Sequence, residues 1–142
     1  FRSMCAVGRY DIVDIPTSLF FSCLYLGLHF GQVGSCSFNV MPHRWAYAQP
    51  WDIGITQGSL QEMTGEQAEK YHAIWMRTCR YLYSLNSYDA PMLSVPKEGP
   101  IELLEEPAKF IWEIVKATRA PASISEDTHS NFVELCLRNK RL

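Results

Sequence analysis

The sequence predicts a mainly α-helical chain, in which one transmembrane helix precedes a small bundle or extended set of three amphipathic helices. Three observations predict this class. No Asp, Glu, Lys or Arg occurs between Ile15 and His43. A capping-box sequence then opens a run of apolar residues at helical spacing, and two later segments repeat that spacing. A long charge-free run is typical of a segment that does not meet bulk water.

The composition is otherwise that of an ordinary folded chain. Of 142 residues, 47% are apolar and 20% are charged, which excludes a wholly disordered, collagen-like or coiled-coil protein. The net charge of -2 predicts no nucleic-acid partner, because binding a phosphate backbone needs a clustered excess of Lys and Arg. The five cysteines form no C-x-x-C pair, so neither a zinc motif nor a disulfide framework is predicted.

In this interpretation residues 1–14 are an N-terminal arm and residues 15–36 are the transmembrane helix. A spanning helix needs about 20 mainly apolar residues, and this segment has Leu19 to Phe30 as its apolar centre. A buried helix, or an irregular glycine-rich core segment of a soluble protein, is the alternative because that centre is short. The absence of a charged outer face favours the span.

Three glycines within the segment predict a helix-packing surface. Gly27 and Gly31 are four residues apart, and Gly34 extends the same strip. Small residues at this spacing let a second membrane helix approach closely.

Residues 37–63 are predicted to be an aromatic-rich connector. Pro50, Gly54 and Gly58 interrupt regular structure there. Trp45 and Trp51 follow the apolar segment directly. Such rings suit a membrane boundary, and they equally suit packing against neighbouring helices.

Residues 64–142 are predicted to be a water-facing helical region. Thr64 and Gln67 match a capping box, and the first helix is expected from Gly65 to Leu85. The second helix is expected over residues 101–119, with an interruption at Pro107. The third begins with another capping box at Ser123 and runs into the basic C-terminus.

Two Glu-x-x-His pairs resemble the ligand spacing of a di-iron carboxylate bundle: Glu69 with His72, and Glu126 with His129. Such a bundle also needs a Glu from each of two further helices, and the charge-free segment supplies none. Phosphate-loop, dinucleotide, nucleophile-elbow and metalloprotease motifs are absent. The sequence therefore predicts no metal, no cofactor and no catalytic activity.

A single span, many aromatic residues and an acidic helical exterior together resemble the accessory subunits of mitochondrial respiratory complexes and ATP synthase. The Gly27 and Gly31 pair is similar to the glycine motif in the span of some small ATP synthase subunits. This resemblance implies a non-catalytic accessory subunit in the mitochondrial inner membrane that stabilises assembly, with membrane lipid and other subunits as its partners. Aromatic anchors dominate interfaces, so the predicted contacts are Trp45, Trp51, Trp75, Tyr81 and Tyr83. The alternative function is a soluble all-helical enzyme or metal-binding protein that uses the Glu-x-x-His pairs.

Overall fold

Strands make up most of the regular structure. The structure, a computed structural model, describes residues 9–13, 18, 20, 21, 24, 25, 27, 28, 37–41, 50–119 and 132–142. The chain divides into two compact units, Phe1–Gln49 and Pro50–Leu142. Six strands occur in the described residues, so the predicted mainly α class is wrong. Of its three amphipathic helices, the first is present in part, over Gly65–Thr78.

The unit Phe1–Gln49 contains a parallel strand pair. Strand β1 (Arg9–Val13) pairs with β2 (Ser37–Met41), from Arg9 opposite Ser37 to Val13 opposite Met41. Parallel neighbours need a crossover of about a dozen or more residues, which is usually helical. Helical residues do lie between the two strands, at positions 18, 20, 21, 24, 25, 27 and 28.

The predicted transmembrane helix at 15–36 is therefore corrected, together with the description of the chain as a membrane protein. Among the described residues, no helix is both long enough and apolar enough to cross a membrane. The charge-free run is long because it includes helical residues and also strand β2, which follow one another in the chain. One uncharged stretch thus contributes to two elements of a β-α-β arrangement.

The unit Pro50–Leu142 begins with a second parallel pair. Strand β3 (Trp51–Gln57) lies beside β4 (Cys79–Ser87). The connection contains a 3-10 turn (Leu60–Glu62) and helix α1 (Gly65–Thr78). β3 lies within the stretch predicted to be a connector. The glycine at position 54 is compatible with a strand, because its missing side chain makes room for neighbouring side chains.

Helix α1 begins where the sequence predicts and ends earlier. The capping box is confirmed: Thr64 Oγ1 accepts from the Gln67 N–H at 3.3 Å, and Gln67 Oε1 accepts from the Thr64 N–H at 2.9 Å. The predicted end at Leu85 is wrong, since the chain changes to a strand directly after Thr78. From Leu82 onward alternate residues are buried, which is the period of a strand.

The second half of this unit adds two antiparallel strands. Helix α2 (Ala108–Ile111) is one turn long and leads directly into β5 (Trp112–Arg119). Strand β6 (Phe132–Asn139) pairs with both β4 and β5, which gives the sheet order β3-β4-β6-β5. These strands replace the helices predicted over 101–119 and at the C-terminus. The capping residues predicted for the last helix lie outside the described residues.

One face of the four-stranded sheet carries the core. Helix α1, the 3-10 turn and the loop between β4 and α2 contribute to it, together with inward residues of the strands. Its buried members are Leu60, Ala68, Cys79, Leu82, Ala90, Leu93, Val95, Leu103, Ala108, Ile111, Trp112, Val133, Leu135 and Leu137. On the opposite face, Ile53, Ile55 and Tyr81 are exposed.

Gly54 provides a test of this packing. A Cβ at position 54 would lie 3.0 Å from Cys79 Sγ and 3.2 Å from Leu82 Cδ1. We expect Gly54→Ala to lower the free energy of unfolding by about 1–3 kcal/mol, because overpacking displaces close-packed neighbours. The matched control is Gly65→Ala, since a Cβ there meets no atom within 4 Å. Urea denaturation of both variants measures the difference, and equal stabilities would contradict the β3–β4 packing.

Candidate functional site

The open face of the sheet carries an apolar and aromatic patch. Ile53 lies opposite Tyr81, and Ile55 lies opposite Tyr83, in the register of β3 and β4. Ile53 is 50% exposed, Ile55 is 46% exposed and Tyr81 is 36% exposed, while Tyr83 is half-buried. We call these four residues the open-face patch. Large apolar side chains that adjoin one another on a surface are typical of a binding site.

A polar margin borders the patch on the β6 side. Tyr81 lies opposite Arg138, which in turn lies opposite Glu113 on β5. The guanidinium of Arg138 donates from Nε at 3.0 Å and from Nη2 at 2.6 Å to one carboxylate oxygen of Glu113. The Tyr83 hydroxyl donates to Glu134 Oε1 at 3.1 Å. Burial, together with this hydrogen bond, raises the pKa of Tyr83.

This surface suits a protein ligand better than a nucleic acid. Tyrosine, arginine and apolar residues are enriched in protein interfaces, with polar groups at the rim. On the open face, the rows that pair β6 with β5 carry two basic residues, Arg138 and Lys116, and two acidic residues, Glu113 and Glu134. The margin therefore has no excess positive charge with which to neutralise phosphates.

A buried histidine lies on the opposite side of the sheet, where the core is. His72 has no exposed surface, and its Nε2 accepts from Trp112 Nε1–H at 2.9 Å. The neutral ring therefore carries its proton on Nδ1, which has no hydrogen-bond partner in the described part of the chain. Burial lowers the pKa of His72 to about 4, and the charge of Glu105 opposes part of that shift.

A second buried polar group holds the turn after β3. Asn86 Oδ1 accepts from the N–H groups of Ser59 and Leu60, both at 3.1 Å. Its Nδ2 donates to Ser84 Oγ at 2.8 Å and to the Thr56 carbonyl at 3.4 Å. Both ends of the side-chain amide are occupied within the protein, which makes Asn86 a structural group rather than a free ligand.

The predicted metal ligands lie in different environments. Glu69 is exposed on α1, whereas His72 is buried and uses Nε2 to accept from Trp112. Glu126 and His129 lie outside the described residues. In the part of the chain that the structure describes, no group of three His, Cys, Asp or Glu side chains is placed to hold a metal ion.

The predicted contact residues fall in several places. Tyr81 and Tyr83 belong to the open-face patch, whereas Trp51 and Trp75 are partly buried against the core. The ring of Trp75 also lies 6.1 Å from that of Tyr71. Trp45 lies outside the described residues.

Of the predicted helix-packing glycines, Gly27 lies in a helical position with open space around it. Gly31 and Gly34 are not among the described residues.

Sequence reasoning missed the two isoleucines of the patch. The signal was present, because Trp51, Ile53 and Ile55 alternate with other residues at the period of a strand. Pro50, Gly54 and Gly58 instead favoured a connector.

No family model matches the chain, and neither a curated protein nor a solved structure matches it.

Proposed function

We propose that this protein is a non-catalytic accessory subunit that binds a partner protein through the open-face patch. The observation that carries the proposal is the exposure of Ile53, Ile55 and Tyr81 side by side on one face of the sheet. Removing such side chains from water contributes about 25 cal/mol for each Å² of apolar surface, which offsets part of the entropy cost of association. The Arg138–Glu113 pair at the margin supplies polar groups that orient a partner.

Absence of catalysis stays a prediction and is part of this proposal. The buried polar groups support it, since Asn86 bonds at both ends to its own chain and His72 has no exposed surface. A catalytic base must lie within hydrogen-bond reach of its substrate, so neither group is placed for that role. Membership of a mitochondrial complex also stays a prediction.

Site-specific photocrosslinking in the cells that produce the protein tests the proposal. The full chain would carry p-benzoylphenylalanine in place of Tyr81 in one variant, and in place of Phe110 in another. Phe110 is a matched control because it is an aromatic residue of α2, outside the sheet, with 65% exposure. We expect a discrete crosslinked protein from position 81 alone.

Two outcomes would overturn the proposal. Equal yields of the same adducts from both positions would mean that the patch is an ordinary exposed surface. Crosslinking of position 81 to RNA rather than to protein would replace a protein partner with a nucleic acid, against the balanced charge at the margin.

A further inference from the structure

The two edges of the four-stranded sheet differ in how well they are protected. Within the described residues, β3 and β5 are the edge strands. β5 carries Glu113, Lys116 and Arg119, and its register shifts between Ile114 and Lys116. Charges and bulges of this kind prevent edge-to-edge pairing. β3 is seven residues long, has Asp52 as its sole charge and pairs with β4 without a register shift.

The hydrogen bonds of β3 identify which of its backbone groups face outward. The Gly58 N–H donates to the Leu85 carbonyl of β4, and the Thr56 carbonyl accepts from the side-chain Nδ2 of Asn86, so the backbone groups of these even-numbered residues face β4. Backbone groups of successive strand residues point to opposite sides. The N–H and C=O groups of Ile53 and Ile55 therefore point away from β4.

From this arrangement we infer that two copies of the chain pair through antiparallel β3 strands, with the two-fold axis at Gly54. This register alone pairs all seven residues of one β3 with all seven of the other. It places Ile53 opposite the second copy's Ile55, where each outward N–H meets an outward C=O. It also places no side chain on the axis, because residue 54 is glycine.

The side chains agree with that register. The two isoleucines form an apolar cross-strand pair on the open face, which stabilises a sheet. Asp52 lies opposite the second copy's Thr56, so the like charges of the two Asp52 residues are not opposed.

Dimerisation would extend the binding surface without covering it. Strand pairing joins two sheets edge to edge, so the open faces of both copies lie on one continuous eight-stranded sheet. The open-face patches then meet at the two-fold axis. A partner with two equivalent sites, or one long site, fits such a surface.

A charge exchange across the axis tests the pairing and its register. Sedimentation equilibrium of the full chain is measured for the wild type, for Ile53→Lys/Ile55→Lys and for Ile53→Lys/Ile55→Glu. Both positions are about half exposed, so the fold should persist, and far-UV circular dichroism checks it. We expect a wild-type dimer, a monomer for the double-lysine variant, and a dimer again for the lysine–glutamate variant. The last dimer forms because each new lysine lies opposite a new glutamate.

The control is Val115→Lys on the protected edge, where the side chain is 56% exposed. It should remain dimeric. A wild type that stays monomeric up to about 100 μM, above the dissociation constant of a specific dimer, would overturn the inference. So would a double-lysine variant that dimerises like the wild type, or a lysine–glutamate variant that stays monomeric. Sedimentation measures the oligomeric state, whereas the proposed function is tested by the identity of the protein that crosslinks to position 81 on β4, so the two can fail separately.

Discussion

Acidification from pH 7 to pH 4 is expected to lower the free energy of unfolding by about 3 kcal/mol through His72 alone. Burial holds the pKa of His72 near 4 in the folded chain, against an ordinary value of 6.5, while the charge of Glu105 limits the shift. Between those two values the unfolded chain binds a proton that the folded chain does not. Stability therefore falls as the pH drops through 6.5, and the loss is complete below about pH 4.

The replacement His72→Gln isolates this contribution. A glutamine amide oxygen can still accept from Trp112 Nε1–H, but the side chain does not titrate. Denaturant unfolding at a series of pH values, followed by tryptophan fluorescence, should show a shallower loss of stability than in the wild type. The control His72→Phe leaves the buried Trp112 donor unpaired, and we expect it to be less stable by about 1–3 kcal/mol at pH 7. Identical pH profiles for the wild type and His72→Gln would show that His72 is not held neutral by burial.

Removing the side-chain amide of Asn86 is expected to lower the free energy of unfolding by about 2–4 kcal/mol. In Asn86→Ala the N–H groups of Ser59 and Leu60 lose their shared acceptor, and Ser84 Oγ loses its donor. The Leu60 N–H is buried, so water does not easily replace the lost bond. The effect should be largest at the turn between β3 and α1.

Amide hydrogen exchange locates that effect. In Asn86→Ala the amides of Ser59 and Leu60 should exchange faster than the amides of β6. The matched control is Gln61→Ala, which removes a side-chain acceptor from the same turn, since Gln61 Oε1 accepts from the exposed Ser87 N–H. We expect Gln61→Ala to lower the free energy of unfolding by less than about 0.5 kcal/mol, because water can replace an exposed hydrogen bond. If both variants lose the same free energy of unfolding, the buried hydrogen bonds of Asn86 do not stabilise this turn.

Local capping chemistry was readable from the sequence, because it depends on residues close in the chain. Thr64 and Gln67 bond to each other's backbone within one turn, and no distant partner is needed for that geometry. The start of α1 was accordingly predicted correctly.

The strands were misread because short apolar segments satisfy helical and strand spacing alike. Cys79 and Leu82 are three residues apart and are both buried, which also fits a helix. In β6, however, Val133, Leu135, Leu137 and Asn139 are buried alternately with less buried residues. Pairing with β4 and β5 decides between the two periods, and that pairing joins residues about fifty positions apart.

The candidate site was predictable in part. Tyr81 and Tyr83 stood out as aromatic residues on the outer side of an expected helix, and the structure places them on the outer side of a strand instead. Their neighbours Ile53 and Ile55 come from β3 through parallel pairing. Nothing in the local sequence specifies that register. The burial of His72 depends in the same way on Trp112, which is 40 residues away.

The most direct test of the central claim is the affinity of the crosslinked partner for the purified full chain. Isothermal titration would compare the wild type with Tyr81→Ala and with the control Phe110→Ala. A tyrosine anchor at the centre of an interface predicts that Tyr81→Ala weakens binding at least about tenfold, or ~1.4 kcal/mol. Phe110→Ala should leave the dissociation constant unchanged. If Tyr81→Ala binds the partner as tightly as the wild type, the open-face patch is not the binding surface.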